Sequence, residues 1–131
     1  MIFVDTSFWV ALRRHRDERH HEAVALTRAH AGALVTSNHV LGETWTVLRR
    51  REGHAQAVET LDAVTRSRRV AIERIGPETE RDAWRRLRDR DDREFSFVDA
   101  TSFAYMAERG LQDVLTFDGD FAAAGFRELR A

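Results

Sequence analysis

Apolar and polar positions along this chain follow two periods. Ile2-Phe3-Val4, Leu34-Val35-Thr36 and Val114-Leu115-Thr116-Phe117 are short, mostly apolar runs, the habit of strands buried on both faces of a parallel sheet. Val70 to Ile75 carries Glu73 and Arg74 among its apolar residues and predicts a more exposed strand, and Phe126 to Leu129 predicts a short edge strand. The stretches between them repeat at helical spacing. The segment after Asp5 opens on Thr6-Ser7, read as a cap, and continues as Phe8 to Leu12; the next helix runs from Asp17 to His30. Ser37 caps a helix over Asn38 to Arg51, with Val40, Glu43, Val47 and Leu48 on one face. Further helices follow over His54 to Ser67, Thr79 to Arg90 and Phe97 to Arg109, the last with Ser96 and Asp99 at capping-box spacing and Gly110 at its end. Asp89 to Glu94 reads as a charged loop. Strands alternating with helices define βαβ units and a mostly parallel sheet covered on both faces. With neither linker nor internal repeat, residues 1–131 are expected to form a single domain.

Composition narrows the class. Hydrophobic residues make up 43% of the 131, but no run approaches the roughly 18 apolar residues of a membrane span, so a soluble protein without membrane contact is expected. The chain enters its first strand without a basic leader, and it has no cysteine, which fits a reducing cytoplasm and removes disulfides and thiolate metal sites. The formal net charge of −1 argues against gripping nucleic acid by bulk positive charge. All 21 basic residues are arginine, and a total bias of this kind reflects base composition more readily than selection for phosphate.

Four carboxylates stand where the local pattern asks for something else. Asp5 and Asp118 end buried strands, Glu43 falls between Val40 and Val47 on the expected inward face of its helix, and Asp99 lies one turn from Ser102 and Phe103. Each has a purely structural reading: Asp5 as a strand end, Asp99 as the capping-box acid, Asp118-Gly119 as a tight turn. Glu43 resists such a reading, because no arginine lies three or four residues on. Carboxylates on buried faces are costly without a cation or hydrogen bonds, and hard oxygen ligands of this kind suit Mg²⁺ or Mn²⁺. In open α/β sheets, ligands bind beyond the carboxyl ends of the strands, where Asp5 stands.

The missing lysine separates folds that look alike at this level. Receiver domains and haloacid-dehalogenase-type phosphotransferases gather acids around Mg²⁺ but use a lysine, and the latter place a second aspartate where this chain has Ser7. A Walker loop and a Gly-rich dinucleotide fingerprint are both absent.

Ile2-Phe3-Val4-Asp5-Thr6-Ser7, Glu43, Phe97-Val98-Asp99-Ala100 and Thr116-Phe117-Asp118-Gly119-Asp120-Phe121 together resemble the acidic motifs of PIN-domain ribonucleases, and the length and order of elements resemble VapC-type toxins of type II toxin–antitoxin pairs. The resemblance implies a three-layer α/β/α sandwich and an Mg²⁺- or Mn²⁺-dependent endoribonuclease that cuts structured RNA, tRNA or rRNA. Carried over motif by motif, Asp5, Glu43, Asp99 and Asp118 would hold the metal, joined by Asp120 in some relatives, with Thr6 and Ser7 placing a water or a phosphate oxygen. It also implies a homodimer, a cognate antitoxin as partner, and action in the cytoplasm.

Other chemistry is poorly supported. His20 and His21 are adjacent on a helix and diverge, and Ser7 has no base with a matching motif. The clusters Arg13-Arg14, Arg49-Arg50-Arg51, Arg66 with Arg68-Arg69, and Arg85-Arg86 with Arg88 can meet RNA phosphates or simply form solvated helix faces. Trp9, Trp45 and Trp84 are expected in the core or at an interface. Two rival functions remain: a PIN-like module that binds RNA or protein without cutting, and a small-molecule phosphatase.

Overall fold

The computed structural model describes residues 1–131. Strand β1 (Ile2–Val4) lies at the centre of a five-stranded sheet, flanked by β2 (Leu34–Ser37) and β4 (Asp113–Leu115), with β3 (Val70–Glu73) and β5 (Arg127–Glu128) at the edges. All four pairings are parallel. Strands this short suffice because Phe3, Val4, Val35, Val114 and Leu115 are fully buried, each worth roughly 1.5–3 kcal/mol of transfer free energy.

The helices are α1 (Thr6–Arg13), α2 (His20–Ala29), α3 (Asn38–Arg51), α4 (His54–Arg66), α5 (Pro77–Asp89), α6 (Phe97–Arg109) and the short α7 (Asp120–Ala123). The strand order β3-β2-β1-β4-β5 means that the chain builds outward from β1 in one direction and then returns to its other side. Right-handed crossovers therefore place α1–α4 on one face and α5–α7 on the other, giving the three-layer α/β/α arrangement. On the second face Phe3, Phe103, Phe121 and Phe126 mesh, with Phe103 and Phe121 ring centroids 4.9 Å apart, edge to face. The order reverses between β1 and β4, and a crevice at their carboxyl ends follows from that topology.

Local signals explain most boundaries. Ser37 Oγ accepts the Val40 N–H at 3.1 Å, both halves of the Ser96–Asp99 capping box are formed, Pro77 opens α5, and Gly110 closes α6 with φ +66°. The start of α1 differs from expectation. Asp5, not Thr6 or Ser7, is the N-cap: its main-chain carbonyl accepts from Phe8 and Trp9 at 3.2 Å, while its carboxylate takes no part in capping. α2 begins at His20 instead of Asp17, because Arg14 to Arg19 forms turns. α7 goes beyond the sequence reading; Gly119, at φ +79°, turns the chain into it. Trp9 is buried and donates to Thr36 Oγ1 at 3.3 Å, Trp45 is half-buried, and Trp84 is 53% exposed, stacked on Phe97. No helix is long and apolar enough to cross a membrane.

Candidate active site

The parallel pairing of β1 with β4 brings the residues just past each strand side by side. Val4 pairs with Leu115, so Asp5 meets Thr116, 111 residues away in sequence, and Thr116 Oγ1 donates to Asp5 Oδ2 at 2.9 Å. Ser7 Oγ lies 3.0 Å from Thr116 Oγ1 and 3.2 Å from Asp5 Oδ2, and it accepts the Phe117 N–H at 2.9 Å. This relay of main-chain amide, two hydroxyls and carboxylate fixes one oxygen of Asp5. The other, Oδ1, is buried and has no hydrogen-bond partner in the protein. An unsatisfied buried carboxylate oxygen costs a few kcal/mol unless a ligand completes it.

Asp99 and Asp118 are held in the same manner. One Asp99 oxygen accepts the Ser96 N–H at 3.3 Å as part of the capping box, and Asp118 Oδ1 accepts the Asp120 N–H at 2.9 Å across the Gly119 turn. Each carboxylate thus has one oxygen tied to the main chain or to hydroxyls and a second that these bonds leave free. Asp5, Asp99 and Asp118 offer oxygens within 4.8 Å of one another. No ion pair in the molecule involves any of the three.

Electrostatics registers this crowding. Burial, reinforced by the negative charges of Asp118 and Asp99, pushes the Asp5 carboxyl up to about 8, against the opposing hydrogen bonds from Thr116 and the Thr6 amide. Burial and the Asp118 charge push Asp99 up to about 7, and Asp118 is raised as well, chiefly by burial. At neutral pH three acids this close cannot all be charged unless a cation joins them. The donor set therefore fits a hard divalent ion: carboxylate oxygens only, mutually repelling, one of them buried and unpartnered.

The other expected residues divide. Glu43 stands outside the three-acid cluster but lines the same cleft as Asp5 and Asp118, half-buried. The inward face of α3 is Val40, Thr44 and Leu48, so Glu43 is not turned to the sheet as the spacing implied. Asp120 is held by Arg93 Nε at 2.8 Å. Its charge raises Asp99 from outside the cluster. Thr6 Oγ1 reaches back to the Val40 carbonyl at 3.5 Å, whereas Ser7 is in the relay. Thr116 escaped the sequence reading as a site residue. The signal for it was a hydroxyl at the end of a buried strand, two residues before an acid.

The cleft and cluster belong to a known class. A family model described as PIN domain matches residues 2–127, and the chain belongs to that family. Within it, the chain is 52% identical over 130 residues to the 23S rRNA-specific endonuclease VapC20 of Mycobacterium tuberculosis, in strains CDC 1551 / Oshkosh and ATCC 25618 / H37Rv, covering 99% of this chain and 98% of each relative. The crystal structure of M. tuberculosis VapC20, described as a sarcin–ricin loop cleaving toxin, superposes over 100% of both chains with a TM-score of 0.95 at 51% identity. The expected family, fold class and relationship to VapC toxins all hold.

Proposed function

We propose that this chain is a divalent-metal-dependent endoribonuclease that hydrolyses a phosphodiester in structured RNA, with the sarcin–ricin loop of 23S rRNA the target its relatives indicate, and that it acts in the cytoplasm as a toxin restrained by a cognate antitoxin. The observation that carries this reading is the unpartnered Oδ1 of Asp5 within a cluster of three acids that no arginine neutralises.

Asp5, Asp99 and Asp118 would hold Mg²⁺ or Mn²⁺, with Glu43 joining from the wall of the cleft and Asp120 kept in reserve by Arg93. A bound divalent ion supplies Lewis acidity toward the phosphate and lowers the pKa of water at neutral pH. The protein supplies position. Ser7 and Thr116 fix Asp5, Ser96 fixes Asp99, and the Asp120 amide fixes Asp118, so the free oxygens are aimed before substrate arrives. A carboxylate of the cluster, ionised once the metal is bound, would take the proton of the attacking water. Water as nucleophile requires no participation by the RNA 2′-hydroxyl; its attack would break the P–O3′ bond, the 3′-oxygen leaving as a hydroxyl and the phosphate staying on the 5′ end of the other product. A homodimer, as the family resemblance implies, would present two such clefts.

The test is Asp99→Asn. The asparagine oxygen still accepts the Ser96 N–H, so the helix cap is preserved while the charge is removed. Cleavage of a sarcin–ricin hairpin with Mn²⁺ should be abolished, the Mn²⁺-induced rise in melting temperature should shrink, and the metal-free melting temperature should stay or rise. Wild-type cleavage by this variant, or wild-type protein that hydrolyses a chromogenic phosphate ester and leaves RNA intact, overturns the reading.

A further inference from the structure

Helix α3 turns a single line of side chains toward the acid-bearing cleft: Glu43, Val47 and Arg51, four residues apart each time. At 1.5 Å per residue, Arg51 stands about 12 Å along the helix from Glu43. The basic residues around it are already engaged. Arg14 and Arg16 share Glu52 at 3.4 and 3.0 Å, and Arg19 donates to Glu22 at 2.8 Å while lying over the Phe117 ring. Arg51 has no carboxylate within 4.0 Å, and its guanidinium donates no hydrogen bond within the protein. Arg49 and Arg50, in the same last turn, complement the helix dipole equally well but do not line the cleft. The open cleft that Arg51 lines together with Asp5, Glu43 and Asp118 has a volume of about 410 Å³, room for a nucleotide.

We propose that Arg51 anchors a backbone phosphate flanking the scissile one, so that the cleft lined by Arg51 and the acids is the subsite of the RNA strand next to the cut. The inference rests on the nuclease reading and adds to it the residue that sets the register of the strand. A cluster of carboxylates repels an RNA backbone, and a guanidinium fork at a fixed distance draws it back and orients it. Val47 presents an apolar surface to the sugar and base in between. Glu18 also lines the cleft and forms no ion pair, so its charge works against a phosphate held there.

The experiment uses the intact protein and a sarcin–ricin hairpin, with Arg49→Gln as a control that removes the same charge from the same helical turn. Arg51→Gln should raise KM roughly tenfold with kcat unchanged, and should reduce by about one the slope of log affinity against log salt, measured in EDTA. Arg51→Lys should recover part of the KM, Arg49→Gln should leave both quantities alone, and Glu18→Gln should lower KM. Equal effects of Arg49→Gln and Arg51→Gln reduce Arg51 to bulk charge and overturn the subsite, as does an Arg51→Gln protein indistinguishable from wild type or one that loses kcat alone. Folded wild-type protein that neither binds nor cuts the hairpin defeats the nuclease reading itself, whereas wild-type cutting with an inert Arg51→Gln defeats only the subsite.

Discussion

Two sets of acids in this protein behave in opposite ways. Glu52, Asp92 and Asp113 each stand beside arginine, and hydrogen bonds from Arg16, Arg90 and Arg127 hold their carboxyls below the usual range. Asp5, Asp99 and Asp118 lie at the carboxyl edge of the sheet, and all three are pushed up, burial being the leading cause. A chain with 21 arginines has cations to spare, and none is within ion-pairing distance of the place that most needs one. The difference teaches that the cluster is not a folding device. Its destabilising electrostatics are kept, and its geometry is held in place by hydroxyls and amides.

The largest break in that comparison is Asp5→Asn. It removes the most buried charge of the cluster, and cleavage should vanish in a Mn²⁺-supplemented assay. The sign of its stability effect follows from linkage. Asp5 and Asp99 hold protons in the folded state up to about 8 and 7, while the unfolded chain releases them near 3.8, so metal-free stability falls as pH rises through that window. Thermal melts in EDTA from pH 5 to 8 should show a declining melting temperature in the wild type and a flatter one in Asp5→Asn. A wild-type melting temperature that climbs across the same range contradicts the raised carboxyls. Next in size is Thr116→Val, which takes the hydroxyl from Asp5 Oδ2 and leaves the fold; loss of a group that orients a ligand predicts a cleavage rate roughly 10–100-fold lower. The smallest effect belongs to the other set. Asp92→Asn should leave cleavage and melting temperature within measurement error, because Asp92 is 64% exposed and its ion pair with Arg90 is hydrated at the surface.

Much of this was legible in the residues, and the gaps have physical causes. The apolar runs at Phe3-Val4, Leu34-Val35 and Val114-Leu115 located the central strands because double burial leaves no polar alternation to misread. The cap at Ser37 and the box at Ser96–Asp99 fell where spacing put them, and Asp5, Asp99 and Asp118 converged. The side of α3 that faces the sheet differs from the one the apolar spacing predicts, since Thr44 is buried yet polar in type; its hydroxyl donates to the Val40 carbonyl at 2.8 Å, four residues back. That shift moved Glu43 from the expected core face to the cleft wall. Asp120 could not be assigned from sequence, because Arg93, which holds it, is 27 residues away in a loop with no periodicity.

The pairing of β1 with β4 also governs when the acid cluster can assemble as the chain is made. Asp5 is made 111 residues before Thr116, and Asp118 follows just after Thr116. A nascent chain interrupted before β4 has a sheet missing one flank of its middle strand, and Asp5 has no relay to hold it. A chain broken off before β4 thus carries Asp5 without the site, and the acid cluster exists only where β1 and β4 are paired.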